Sequence, residues 1–191
     1  VNLGRLSPEK DQSKLIDAFA EVANRWPQAR LVIAGDGPLK LALAQKIEDM
    51  GLEGRVLLAG LRRNPFPLLR RADCFVLSSN HEGQPMVLLE AMVLGKQIVA
   101  TDIDGNRGLL GKLGYGYLVP NSREGLVGGL ERVLAGEMSP GEFSVQDYRR
   151  AALEQFVQVA IEAPLTTGAR PAAGSGMRLA NEGSCRDKVS Q

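Results

Sequence analysis

Short apolar runs that end in a glycine or a turn residue recur along this chain, and amphipathic stretches separate them. "ARLVIAG" (29–35), "RVLLAG" (55–60), "DCFVLSS" (73–79) and "QIVAT" (97–101) lack the alternation of a half-exposed strand. The first therefore reads as a buried parallel strand, and the other three as further strands. "VNLG" (1–4) and "GYLV" (116–119) read as shorter strands. Between them, "DQSKLIDAFAEVANRW" (11–26) places Leu15, Ile16, Phe19, Val22 and Ala23 at helical spacing. "DGPLKLALAQKIEDMG" (36–51) predicts a helix with Pro38 in its first turn and Gly51 at its stop. "NPFPLLRRA" (64–72) and "PMVLLEAMVLG" (85–95) predict two more. "SREGLVGGLERVLAG" (122–136) predicts another, weakened by Gly125, Gly128 and Gly129. Strands alternating with helices in this way build parallel βαβ units and a doubly wound sheet.

The pattern changes near residue 140. "SVQDYRRAALEQFVQVAIEA" (144–163) is one more amphipathic helix, and 164–191, rich in Gly, Ala, Ser, Thr and Pro, reads as a disordered tail. The expected organisation is a ligand-binding domain over 1–140, a helix over 141–163 and that tail. A net charge of +1 gives no electrostatic case for a nucleic-acid partner or for general attraction to anionic lipid. Cys74 and Cys185 are isolated thiols that suit a reducing cytosol. No apolar run approaches the length of a spanning helix, and no signal pattern opens the chain. It begins with Val1, already within a strand, and is expected to be a fragment of something longer.

In open parallel sheets, ligands bind where the carboxyl ends of strands lead into loops. Four such loops carry the candidate chemistry. "GRLSPEK" (4–10) offers Gly4 for close backbone approach, with Arg5 and Lys10 for phosphate oxygens. "GDGP" (35–38) is a tight turn, neither GxGxxG nor a Walker A loop. In "SSNHEGQPMVLLEAM" (78–92), Pro85 suits the first position of a helix, leaving the amides of Met86, Val87 and Leu88 free to face an anion. Glu90 stands within an oily run, and a carboxylate there is costly unless hydrogen-bonded. Either a ligand's vicinal diol or a buried arginine satisfies it, and Glu82 is placed to hold a second sugar. The lone His81 forms neither a triad nor a zinc site. In "TDIDGNRG" (101–108), Asp102 and Asp104 match a DxD metal element in form, although turn chemistry is the plainer account.

Taken together, "GRLSPEK", "LIDAFAEV", "ARLVIAGDGP", "RVLLAG", "ADCFVLSS" and "EGQPMVLLEAMVLGKQIVATD" resemble the large retaining GT-B glycosyltransferase family. The Glu82–x7–Glu90 spacing matches its E-x7-E signature, and the likeness covers roughly residues 1–135. The resemblance implies a Rossmann-like doubly wound sheet, the C-terminal, donor-binding half of such an enzyme. It assigns Arg5 and Lys10 to the donor diphosphate, Glu90 to the nucleotide ribose and Glu82 to the transferred sugar, making Glu82, Arg5 and Lys10 the catalytic set. Gly4, Gly83, Pro85, Met86, Val87 and Leu88 join Arg5, Lys10 and Glu90 in binding substrate. It implies no bound metal or other cofactor, which demotes Asp102 and Asp104.

Three positions depart from the family's pattern: Asp11 where a Gly is usual, Gln97 for a frequent Pro, and Gly108 for a common Glu. The implied activity is a retaining hexosyl transfer from a nucleotide-diphosphate sugar to a lipid, polysaccharide or wall polymer, in cell-envelope biosynthesis. The wording of 78–91 and 101–108, with "DYRRAALEQF", also resembles wall-polymer transferases of the teichoic-acid type. The N-terminal half, with the acceptor site and peripheral membrane contact, would be missing, leaving the fragment inactive alone. The implied location is the cytoplasm, at the inner face of the membrane. Two alternatives stand beside this: a nucleotide-sugar epimerase of GT-B fold, and a non-catalytic nucleotide-sugar-binding domain.

Overall fold

A computed structural model describes residues 1–139 and 141–162, with 155–162 by backbone alone. The expected tail over 164–191 lies outside the described residues. Six strands are present: β1 (Asn2–Leu3), β2 (Leu31–Ala34), β3 (Val56–Gly60), β4 (Cys74–Leu77), β5 (Gln97–Thr101) and β6 (Tyr117–Val119). β1, β2 and β3 form one parallel sheet, and β4, β5 and β6 a second. β1 joins them. The Val76 amide donates to the Val1 carbonyl at 2.9 Å, and the buried Asn2 side chain donates to the Val76 carbonyl at 2.9 Å. Read across that seam, the strands run 3-2-1-4-5-6, the order of a doubly wound nucleotide-binding fold.

The helices are α1 (Gln12–Arg25), α2 (Lys40–Asp49), α3 (Phe66–Arg71), α4 (Met86–Val93), α5 (Asp104–Asn106), α6 (Arg123–Leu134) and α7 (Val145–Glu162). The strand side chains alternate between two cores. Val76, Val99 and Val119 pack with α1, α2 and α6, whereas Phe75, Leu77, Ile98 and Ala100 pack with α3 and α4. That alternation is the period-2 geometry of a strand buried on both faces. Gly129 explains why α6 tolerates its glycines: a Cβ there would sit 2.7 Å from Val99 Cγ1, so the glycine lets the helix lie close on the sheet.

Three local expectations are corrected. Pro38 lies in a turn ahead of α2, because the backbone of 37–39 is tied to the β1 loop: the Leu39 amide donates to the Leu6 carbonyl at 3.1 Å. Pro85 caps α4 from outside and is not its first residue. The stretch after β5 is helical where turn chemistry was expected: α5 runs into a π-helical turn over Arg107–Gly111. One compact unit comprises Val1–Arg149 and a second begins at Arg150, so α7 belongs to both. Among the described residues no helix is long and apolar enough to cross a membrane.

Asp11 caps α1 from a left-handed conformation, φ 45° and ψ 51°, the only non-glycine at positive φ among the described residues. A glycine would adopt it freely; aspartate tolerates it and adds a cap, accepting from the Lys14 amide at 3.1 Å and Asn80 Nδ2 at 3.0 Å. Burial pushes the Asp11 carboxyl up, but the Asn80 and Lys14 hydrogen bonds and the Lys14 charge outweigh it and hold it below 3.8. Asp11→Ala is expected to cost about 2 kcal/mol, from the lost cap and the left-handed backbone together, and Asp11→Gly less. The carboxylate's share is present above the ordinary value and is lost as pH falls through the depressed folded value. Thermal melts of wild type and Asp11→Ala should therefore converge in part below pH 3.8. Equal melting of Asp11→Ala and wild type at pH 7 would refute the cap.

Candidate active site at the sheet's switch point

The loops after β1 and β4 meet where the strand order reverses, and buried polar side chains fix them. Ser78 Oγ donates to the Lys10 carbonyl at 2.8 Å, and the Asn80 amide donates to the Glu9 carbonyl at 2.8 Å. Gln12 Nε2 donates to the Arg5 carbonyl at 2.9 Å. From the β5 side, Thr101 Oγ1 donates to the Ser79 carbonyl at 2.6 Å, and Asn106 Nδ2 to the Thr101 carbonyl at 2.8 Å. Gln12, Ser78, Ser79, Thr101 and Asn106 are fully buried. Gln12, Ser78, Thr101 and Asn106 each satisfy a backbone carbonyl, Ser79 holds the Glu82 carboxylate, and Leu6 anchors the β1 loop in the core.

Lys10 and Glu82 come together across this junction. Lys10 Nζ donates to Glu82 Oε1 at 2.5 Å, and Ser79 Oγ donates to the same oxygen at 2.6 Å. The Glu82 side chain is 8% exposed and that of Lys10 25%. Gly105 lets α5 press on this loop, since a Cβ there would lie 2.2 Å from the Glu82 carbonyl oxygen. Gly4 lies against the Lys10 stem: its Cβ would stand 3.7 Å from Lys10 Cδ. Arg5 is exposed, and its side chain makes no hydrogen bond or ion pair with any described residue. It borders a cleft of about 310 Å³ with Gly4, Gly35, Asp36 and Arg62. A larger hollow of about 580 Å³ opens at the opposite, amino ends of the strands, beside Val1, Trp26 and Cys74. Arg5, Lys10, Glu82 and Glu90 are all absent from its lining, and we place the site at the carboxyl ends of the strands, where the smaller cleft borders Arg5.

Glu90 is half-buried on α4, with no hydrogen bond or ion pair from its side chain to any described residue. The buried-arginine account of Glu90 is thereby excluded among those residues. The expectation of three free amides at this helix is corrected. The Met86 amide donates to the Gln84 carbonyl and that of Leu88 to the Pro85 carbonyl, both at 2.9 Å, so of the three only the Val87 amide lacks an acceptor among the described residues. A tight first turn consumes the other two. Pro85 and Leu88 are buried, while Gly83 and Met86 are exposed.

The remaining candidates fall away from the chemistry. His81 is exposed. Arg107 holds Asp102 and Asp104 at 2.9 Å each. Among the described residues no three His, Cys, Asp or Glu side chains gather as a metal site would need. Burial pushes the Cys74 thiol up to about 11, which leaves it protonated and inert as a nucleophile. Gly108 is exposed with nothing within 4 Å of a Cβ position, and Gln97 opens β5 with its Oε1 buried and unpaired.

A doubly wound parallel sheet with charged loops at its switch point is the architecture of a GT-B glycosyltransferase half, and solved structures of that class superpose on it. The structure of Anabaena Alr3699/HepE in complex with UDP matches with a TM-score of 0.64 and 30% identity, over 72% of this chain and 39% of that one. The chain belongs to the glycosyl transferases group 1 family, whose model matches residues 1–151. It is 41% identical over 102 residues to an uncharacterized glycosyltransferase, MJ1059, of Methanocaldococcus jannaschii, covering 53% of this chain and 25% of that protein. It is 31% identical over 165 residues to the N-acetylgalactosamine-N,N'-diacetylbacillosaminyl-diphospho-undecaprenol 4-alpha-N-acetylgalactosaminyltransferase of Campylobacter jejuni, covering 85% of this chain and 44% of that protein. The chain thus spans less than half the length of these relatives.

Proposed function

We propose that this chain is the donor-binding half of a retaining hexosyltransferase that takes its sugar from a nucleotide-diphosphate sugar. The observation that carries this is the meeting of Lys10 and Glu82 at the switch point, a cation for phosphate beside an acceptor for sugar hydroxyls. Arg5 and Lys10 hold the diphosphate, Glu90 the ribose diol, Glu82 the transferred sugar, and the Gly83–Leu88 backbone follows the sugar and phosphate. As the diphosphate leaves, the two cations and the Val87 amide stabilise the charge developing on it. No described side chain stands out as a general base, and the leaving phosphate takes the acceptor's proton during front-face attack. The acceptor is a lipid, polysaccharide or wall polymer, bound by a second half that also makes the membrane contact, at the cytoplasmic face. The Campylobacter relative is itself named for a diphospho-undecaprenol-linked sugar, which supports that acceptor class.

Donor binding needs no metal in this reading, because Arg5 and Lys10 already supply the positive potential. Calorimetric titration with a panel of nucleotide sugars, with and without EDTA, tests both points. One donor should bind with an affinity that chelation leaves unchanged. Binding that vanishes with EDTA and returns with manganese would overturn the metal-independent reading and return Asp102 and Asp104 to the site.

A further inference from the structure

We infer that Glu82 discriminates the complete donor from its nucleoside diphosphate product by competing for Lys10. The inference deepens the reading above and rests on its assignment of Lys10 to the diphosphate. Lys10 is already engaged, held on a carboxylate that is nearly buried. A diphosphate that draws Lys10 away leaves Glu82 with the Ser79 hydroxyl alone at Oε1. An ion-pair partner removed from a buried carboxylate leaves a desolvated charge uncompensated. A nucleoside diphosphate offers nothing in return. The complete donor does, since sugar hydroxyls can donate to the carboxylate that Lys10 vacates. One exchange therefore penalises product and spares donor, and its balance lies in a single side chain.

The geometry makes this specific to Glu82. Lys10 and Ser79 both address Oε1, and Ser79 is itself buried and pinned through its carbonyl by Thr101. Ser79 thus keeps the carboxylate in place whether Lys10 is present or gone, which makes it a positioning residue. Two variants follow with opposite signs. Glu82→Gln frees Lys10 and should tighten UDP binding about fivefold, the scale of a partly exposed ion pair. Ser79→Ala removes the remaining partner of the vacated carboxylate and should weaken UDP binding by a similar factor. A merely structural role for either residue would weaken binding in both.

The test is calorimetric titration of the 191-residue chain with UDP and with UDP-glucose, on wild type, Glu82→Gln, Ser79→Ala and Lys10→Met, each first shown to melt cooperatively. Expected results are tighter UDP binding in Glu82→Gln, weaker UDP binding in Ser79→Ala, and a donor-to-UDP preference in Glu82→Gln at least tenfold below wild type. Lys10→Met separates the two ideas. If it weakens UDP binding while Glu82→Gln leaves UDP unchanged or weaker, the competition is wrong and the diphosphate assignment stands. If Lys10→Met binds UDP like wild type, the diphosphate assignment falls and the competition with it.

Discussion

Gly35→Ala is expected to lower the stability of this chain by about 3 kcal/mol or more, a drop in melting temperature of roughly 6–12 °C for a unit of this size. A Cβ at residue 35 would stand 1.8 Å from the Gly4 carbonyl oxygen, and φ there is +157°. The atom it would meet is backbone, so no side chain can swing aside. It lies where the β1 and β2 loops are laced together: the Gly4 amide donates to the Ala34 carbonyl at 3.1 Å, the Leu6 amide to Asp36 at 3.0 Å, and the Gly35 amide to Gly60 at 3.0 Å. To admit a methyl group, that lacing must open, and Arg5 moves with it. Gly51→Ala is the matched comparison, because φ is +63° with nothing within 4 Å of its Cβ position. It should lose only the left-handed backbone preference, about 1 kcal/mol. Thermal melts of both variants decide the matter, and a Gly35→Ala protein melting with Gly51→Ala would disprove the close approach.

Glu90→Gln should weaken nucleoside diphosphate and complete donor alike, by about 1.5–3 kcal/mol, a loss of roughly ten- to hundredfold in affinity. The charge is what a ribose diol would use, since two side-by-side hydroxyl donors are matched to a carboxylate and only half matched to an amide. The effect on folding should be small. Glu90 has no ion-pair partner to abandon among the described residues, so the variant should melt at or above the wild-type temperature. Titration with UDP and melting without ligand give the two readings. Early melting with normal UDP affinity would remove Glu90 from the site.

The strand-and-helix alternation was legible because β2, β4 and β5 are largely buried on both faces and so appear as unbroken apolar runs, whereas β3, at the sheet's edge, leaves Leu57 exposed. β5 falls at 97–101 as its residues suggest. What was not legible depends on contacts between distant residues. Pro38 looks like a helix start until the Leu6 carbonyl claims the Leu39 amide. The helical stretch after Asp104 carries Gly105, Gly108 and Gly111 and shows no apolar period, so nothing local announces it. Glu82, Lys10 and Glu90 were each recognisable as candidates. That Lys10 and Glu82 are bonded across 72 positions follows only from β1 lying beside β4. Ser78, Ser79, Gln12 and Asn106 escaped notice because polar residues at the ends of elements and in turns read as solvated, whereas here they are buried as struts.

β1 is two residues long, yet it is the one strand that joins the two three-stranded sheets. β1 to β3 fall within residues 2–60 and β4 to β6 within 74–119, yet one hydrophobic core takes Leu15, Phe19 and Ile33 from the first stretch and Val76, Val99 and Leu126 from the second. Lys10 follows β1 and Glu82 follows β4, so the seam that joins the sheets also brings the site together. A chain with the seam open is not a weak binder but a chain with no site. Ligand that binds only across this seam then stabilises the folded chain by mass action, in proportion to its affinity.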